Sequence, residues 1–181
     1  MGRPKALLTF QGETFVDRLV RAMQPVCDEI IVVLGYHAEV IRRGIASNPT
    51  FVVNPEPERG QLSSLQAALA VLPEQADGFL FLPVDCPAVK ASTVRAVAEA
   101  GQGRLASTLL VIPRMGDRRG HPVFASRPIA AELLALPPTG QARDVVHAHR
   151  AETAYLDVGD PGIFSDIDDP EAYRKLMESQ G

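Results

Sequence analysis

The segment Phe79-Leu80-Phe81-Leu82-Pro83-Val84-Asp85-Cys86-Pro87 restricts the fold more than any other part of the chain. Phe79 to Leu82 are apolar without alternation, which suggests a strand buried on both faces, as in the interior of a parallel sheet. The run then ends in a carboxylate fenced by Pro83 and Pro87. Open parallel sheets bind ligands at the carboxyl ends of their strands. A carboxylate there, on backbone stiffened by proline, can hold a metal ion against a phosphate. The structural alternative is that Asp85 opens a turn or caps a helix, and these residues alone weigh the two equally.

The rest of the chain alternates strands and helices. Thr14 is placed to cap a helix whose stripe is Phe15, Val16, Leu19, Val20 and Met23, with Asp17 making a weak capping box and Pro25 marking the end. Strands are expected at 29–34, 51–54, 79–82, 107–112, 122–125 and 153–158. Helices are expected at 39–45, 63–72, 92–100, 129–136, 142–149 and 171–178. This order predicts an α/β fold with a mainly parallel sheet. At 181 residues, one domain with a sizeable core is expected. Residues 46% hydrophobic and 22% charged argue against disorder, and a net charge of −4 with scattered Lys and Arg gives no nucleic-acid footprint. Cys27 and Cys86 match no zinc or redox spacing, no apolar run is long enough for a membrane span, and no secretory signal opens the chain, so a cytoplasmic protein is expected.

Candidate chemistry lies in the loops. Arg3 and Lys5 beside Gly2 suit a polyphosphate, since glycine admits close backbone approach and the cations neutralise charge. Gly60, Ser63 and Ser64 at a helix start suit an anion or ribose, although simple capping is the commoner use of such serines. Gly116 to Pro122 carries Arg118, Arg119 and His121 and could grip an acidic second substrate, or be a plain surface hairpin. Asp166 and Asp168 are two apart in an extended segment and would point the same way, and with Asp85 they would form a hard oxygen site for magnesium. Asp168 or Asp169 could cap the last helix, with Pro170 at its first position.

These pieces together resemble the MobA-like NTP transferases, and among them the cytidylyltransferases of molybdenum-cofactor maturation. The matching motifs are the Met-Gly-Arg-Pro-Lys-Ala-Leu-Leu start, Asn54-Pro55 through Gly60 with Ser63-Ser64-Leu65, and Val84-Asp85-Cys86-Pro87. Gly120-His121-Pro122-Val123 and Phe164-Ser165-Asp166-Ile167-Asp168-Asp169-Pro170-Glu171 complete the set in family order. The resemblance implies a Rossmann-like three-layer nucleotidyltransferase (nucleotide-diphospho-sugar transferase) fold. It implies a magnesium-dependent reaction in which a phosphorylated acceptor such as molybdopterin attacks a nucleoside triphosphate, CTP before GTP, and pyrophosphate leaves. By that likeness Lys5 and Arg3 hold the triphosphate, Asp85 binds Mg2+ with Asp168 and Asp166, Gly60, Ser63 and Ser64 line the nucleotide pocket, and His121 faces the acceptor. A molybdoenzyme or chaperone partner is also implied, with no nucleic acid and no membrane.

One departure stands out. In the family a strand and a loop of the form Leu-x-Ala-Gly-x-Ser-x-Arg precede the first motif, whereas this sequence begins at the family's internal methionine. The expectation is a truncated start that removes a central strand and leaves its neighbours with unpaired backbone groups. A sugar-1-phosphate or alcohol-phosphate nucleotidyltransferase, or a binding protein without catalysis, are the competing functions.

Overall fold

A computed structural model describes residues 4–178. A two-stranded hairpin, β1 (Thr9–Phe10) and β2 (Glu13–Thr14), leads into α1 (Phe15–Met23). Thr14 caps α1 as expected: its Oγ1 accepts from the Asp17 amide at 3.1 Å and donates to the Asp17 carboxylate at 2.6 Å. Then come β3 (Ile31–Leu34), α2 (Ala38–Gly44), β4 (Thr50–Val53), α3 (Gln61–Leu69), β5 (Gly78–Phe81) and α4 (Ala91–Gln102). The second half comprises β6 (Leu110–Met115), β7 (Arg118–Arg119), β8 (Val123–Ser126), α5 (Arg127–Ala135), α6 (Ala142–Ala148), β9 (Thr153–Asp157) and α7 (Pro170–Glu178).

Three layers follow from strand alternation. Leu110 and Ala125 are register partners on β6 and β8, and both face Leu65 and Leu69 of α3, Ile129 and Leu133 of α5, and Val145 of α6. Their neighbours Val111 and Phe124, also register partners, point to the opposite side, against Val97 of α4. On that same side Leu19 of α1 packs with Val94 of α4, Val89 and Ile163. Phe10 and Phe15 pack with Ile167 and Leu176, which fixes α7.

The strands depart from a mainly parallel sheet. β3 and β4 run parallel, as do β6 and β9, but β8 is antiparallel to both β5 and β6, and β7 is antiparallel to β6. The run at Phe79 is therefore not flanked by two parallel strands. Its side chains are half-buried, and one edge pairs antiparallel with β8. Boundaries also move. α3 spans Gln61–Leu69 rather than 63–72, and β6 starts at Leu110 rather than at 107 and runs on to Met115, because β9 pairs along it as far as Arg114 and the β7 hairpin extends it.

Among the described residues no strand pairs with the second edge of β3 or of β5. Between those edges lies a cavity of about 1030 Å³. It separates the β3–β4 pair from the five-stranded sheet.

Candidate active site

The site forms where β5 ends. Pro83 and Pro87 bracket a turn in which the Cys86 amide donates to the Pro83 carbonyl, so Asp85 leaves the sheet before α4 begins. The Ile167 amide donates to the Asp85 carbonyl at 3.2 Å, which brings the acidic segment 165–169 to the same turn. Strand-like alternation there buries Ile167 among Phe10, Phe15 and Leu176 and leaves Asp166 and Asp168 facing out together. Asp169 instead caps α7, its Oδ1 accepting from the Ala172 amide at 2.8 Å, with Pro170 at the first helical position.

A buried aspartate braces this arrangement. Asp160, 2% exposed, accepts from the Lys90 amide at 2.8 Å, the Thr93 hydroxyl at 2.6 Å and the Gly162 amide at 2.9 Å. It thereby joins the segment before Asp166 to the start of α4, which follows Asp85. Gly162 sits so close that a Cβ there would overlap the Ala88 carbonyl oxygen. The His121 amide donates to the Ile163 carbonyl at 3.0 Å and ties the third loop to the same segment.

One carboxylate oxygen from each of Asp85, Asp166 and Asp168 lies within 4.8 Å of the others. The Lys5 ammonium lies beside them, 2.6 Å from Asp168 Oδ1 and 3.9 Å from Asp85 Oδ2. The hydrogen bond from Lys5 holds Asp168 below the usual carboxylate range, with Asp166 adding to the effect. Asp166 is pushed up by partial burial, by its hydrogen bond with Asp168, and by the charges of Asp168 and Asp85. Burial and the neighbouring Asp85 push the Cys86 thiol up to about 12, so it stays protonated. His121 is lowered by burial, against the opposing pull of Asp85 and of the Phe81 backbone. Its ring stands edge-on to Phe81, with centroids 5.5 Å apart, and Nδ1 has no partner. Hard oxygen donors at this spacing fit a divalent cation such as Mg2+ or Mn2+.

The second loop is organised by Asn54. Its amide donates to the Ser63 hydroxyl at 2.8 Å and the Ser64 hydroxyl at 3.1 Å, while its Oδ1 accepts from the Glu56 amide at 3.0 Å. Ser63 is turned into this loop, donating to the carbonyls of Gly60 and Glu56, whereas Ser64 and Gln61 line the large cavity that Lys5 and Asp85 also border. Neither serine is the helix cap. Gly60 holds that position with φ +87°, a conformation that side chains strain to adopt.

The structure thus gathers Lys5, Asp85, Asp166 and Asp168, with His121 close enough to feel the Asp85 charge. It gives Ser63 a bracing role, and Arg3 lies outside the described residues. Asn54 and Asp160 are organising residues to which the sequence by itself assigns no role. The Asp160-Pro161-Gly162 signature of a capped turn is the available sign for Asp160, and Asn54 is marked only by its place in the Asn54-Pro55 motif.

The sequence matches the MobA-like NTP transferase domain over residues 1–153. It is 23% identical to the molybdenum cofactor cytidylyltransferase of Escherichia coli K12, covering 98% of this chain and 89% of that protein. It is 29% identical to a nicotine blue oxidoreductase of Paenarthrobacter nicotinovorans, covering 98% and 90%. Among solved structures, Rv0371c of Mycobacterium tuberculosis superimposes with a TM-score of 0.85 at 30% identity, covering 98% of this chain and 90% of that one. The same protein in complex with manganese gives a TM-score of 0.82 at 29% identity, covering 97% and 92%.

Proposed function

Because the chain belongs to the MobA-like NTP transferase family, we propose that it transfers CMP from CTP to a phosphorylated, molybdopterin-type acceptor with release of pyrophosphate. The convergence of Asp85, Asp166 and Asp168 beside Lys5 carries the proposal. Asp85, with Asp168 and Asp166, would hold Mg2+. A divalent cation there neutralises charge on the triphosphate and on the leaving pyrophosphate. Lys5 exchanges its contact with Asp168 for the phosphate oxygens, a point charge on a flexible stem. Ser64 and Gln61 offer polar groups to the nucleotide from the wall of the shared cavity. His121 stands beside Asp85 towards the acceptor side, its pKa lowered by burial. In-line displacement needs little more from the protein than positioning and electrostatics. The preference for CTP rests on similarity to the Escherichia coli cytidylyltransferase along almost the whole chain.

The test is pyrophosphate release with CTP or GTP, with and without acceptor, in Mg2+ or Mn2+. CTP with acceptor should support turnover and GTP should not. Asp85→Asn should lower turnover at least about a hundredfold, the scale on which removal of one electrostatic stabiliser acts, while leaving the melting temperature nearly unchanged. Wild-type rates in the Asp85→Asn variant would refute the assignment.

A further inference from the structure

Arg18, near the start of α1, does not use its guanidinium for an ion pair. Its Nε donates to the Pro87 carbonyl at 2.6 Å and its Nη1 to the Gln11 side-chain oxygen at 2.8 Å. The guanidinium carbon lies over the Phe10 ring, 4.9 Å from its centroid. Among the described residues none of its hydrogen bonds goes to a carboxylate. Arg21 on the same helix makes the commoner use of an arginine, a forked surface pair with Glu13. The Pro87 carbonyl depends on Arg18 in turn, because no backbone amide among the described residues donates to it. Pro87 closes the turn that carries Asp85. Its side chain is fully buried, and Val84 and Ala88 of the same turn pack against the cluster of Phe10, Phe15, Ile167 and Leu176. Phe10 thus belongs both to the seat of the arginine and to the cluster that carries the turn.

We propose that Arg18 is a positioning residue for Asp85: it holds the far end of the turn so that the Asp85 carboxylate meets those of Asp166 and Asp168, and it sets divalent-cation affinity without touching the ion. The inference rests on the metal-dependent reading of the site. Only Cys86 stands between Asp85 and Pro87, so a shift at the Pro87 carbonyl passes directly to the carboxylate. The Ile167 amide holds the Asp85 carbonyl from the acidic segment. One hydrogen bond leaves a turn free to pivot, and the bond from Arg18 is an attachment from a different element. The Gln11 bond and the Phe10 ring orient the guanidinium from its other side, so Nε is aimed before any ion arrives. Arginine alone has a donor at that place. A lysine carries a methylene where Nε–H stands, and its ammonium lies one atom further out. Groups that orient metal-binding side chains commonly change metal affinity about ten- to a hundredfold.

The experiment measures Mn2+ affinity by electron paramagnetic resonance, and pyrophosphate release with CTP and acceptor across a Mg2+ titration. Arg18→Lys keeps the charge and the stem but loses the donor at Nε, and Arg18→Met loses the charge as well. Arg21→Met is the control from the same helix. Arg18→Lys and Arg18→Met should each bind Mn2+ at least about tenfold more weakly than the wild type, and raising Mg2+ should restore their turnover. Arg21→Met should match the wild type in both measurements. If Arg18→Met does not fold, Arg18→Lys decides alone. Wild-type Mn2+ affinity in Arg18→Lys, an equal loss in Arg21→Met, or a fall in turnover that Mg2+ does not restore would overturn the proposal. Mn2+ binding that depends on Arg18, in a wild type that does not turn over CTP, would overturn the transferase reading and support this one. A wild type that binds no Mn2+ would overturn both.

Discussion

Two aspartates outside the acidic cluster hold backbone around them in place, and one of them braces the site. Asp160 satisfies two backbone amides and a hydroxyl from a buried position, and those partners would stay buried without it. Asp160→Ala should cost about 3 kcal/mol in urea unfolding, the sum expected when donors to a charged acceptor lose it. It should also weaken Mn2+ binding, because the segment bearing Asp166 is released from α4. Asp17 performs a related task at the surface. Burial works to raise its pKa, but hydrogen bonds from the Ser47 and Thr14 hydroxyls and from the Ser47 and Ala46 amides outweigh it, so the net shift is downward. A lowered folded pKa means that its stabilising contribution is present above the ordinary value of 3.8 and is lost as the pH falls through the lower folded value. Asp17→Asn should therefore be about 1 kcal/mol less stable than the wild type at pH 7. That gap should narrow in acid melts below pH 3.8.

At the scale of elements, the site is three loops fastened to one another rather than three loops on separate strands. The stretch 160–169 is bonded to the Asp85 turn through Ile167, to the start of α4 through Asp160, and to the His121 loop through Ile163. Gly162 permits the closest of these approaches, because Ala88 leaves no room for a side chain. Gly162→Ala should destabilise by roughly 2 kcal/mol through overpacking. Its effect on turnover should exceed its effect on melting, since a shift of the acidic segment disperses the carboxylates. A variant that melts early but keeps normal metal affinity would show that the close packing serves stability alone.

For the whole molecule, the cavity beside β5 divides the sheet into unequal parts. β3 and β4 hold each other and lean on α2 and α3, whereas β6 is paired on both sides by β8 and β9. Local opening follows pairing and burial. Amides of Ile31–Leu34 should exchange at least about tenfold faster than those of Leu110–Arg114 in the 181-residue chain. Comparable rates would mean that the two parts unfold as one unit. Element types were legible in the sequence because periodicity and capping are local. The α1 stripe behind Thr14, the apolar run ending at Asp85, and Asp169 with Pro170 at the start of α7 each declare themselves within a few residues. Motif order likewise pointed to the carboxylates before any geometry was known. Pairing direction was not legible, because β8 reaches β5 only after the chain has passed through α4, β6 and β7, and no local pattern encodes which edge a distant strand will take. Nor could spacing distinguish Ser63, held inward by Asn54, from Ser64, which faces the cavity. What sequence alone determined was the set of elements and the chemistry carried by their ends. Only tertiary structure decided which ends meet, because contacts between distant segments depend on how every intervening element packs.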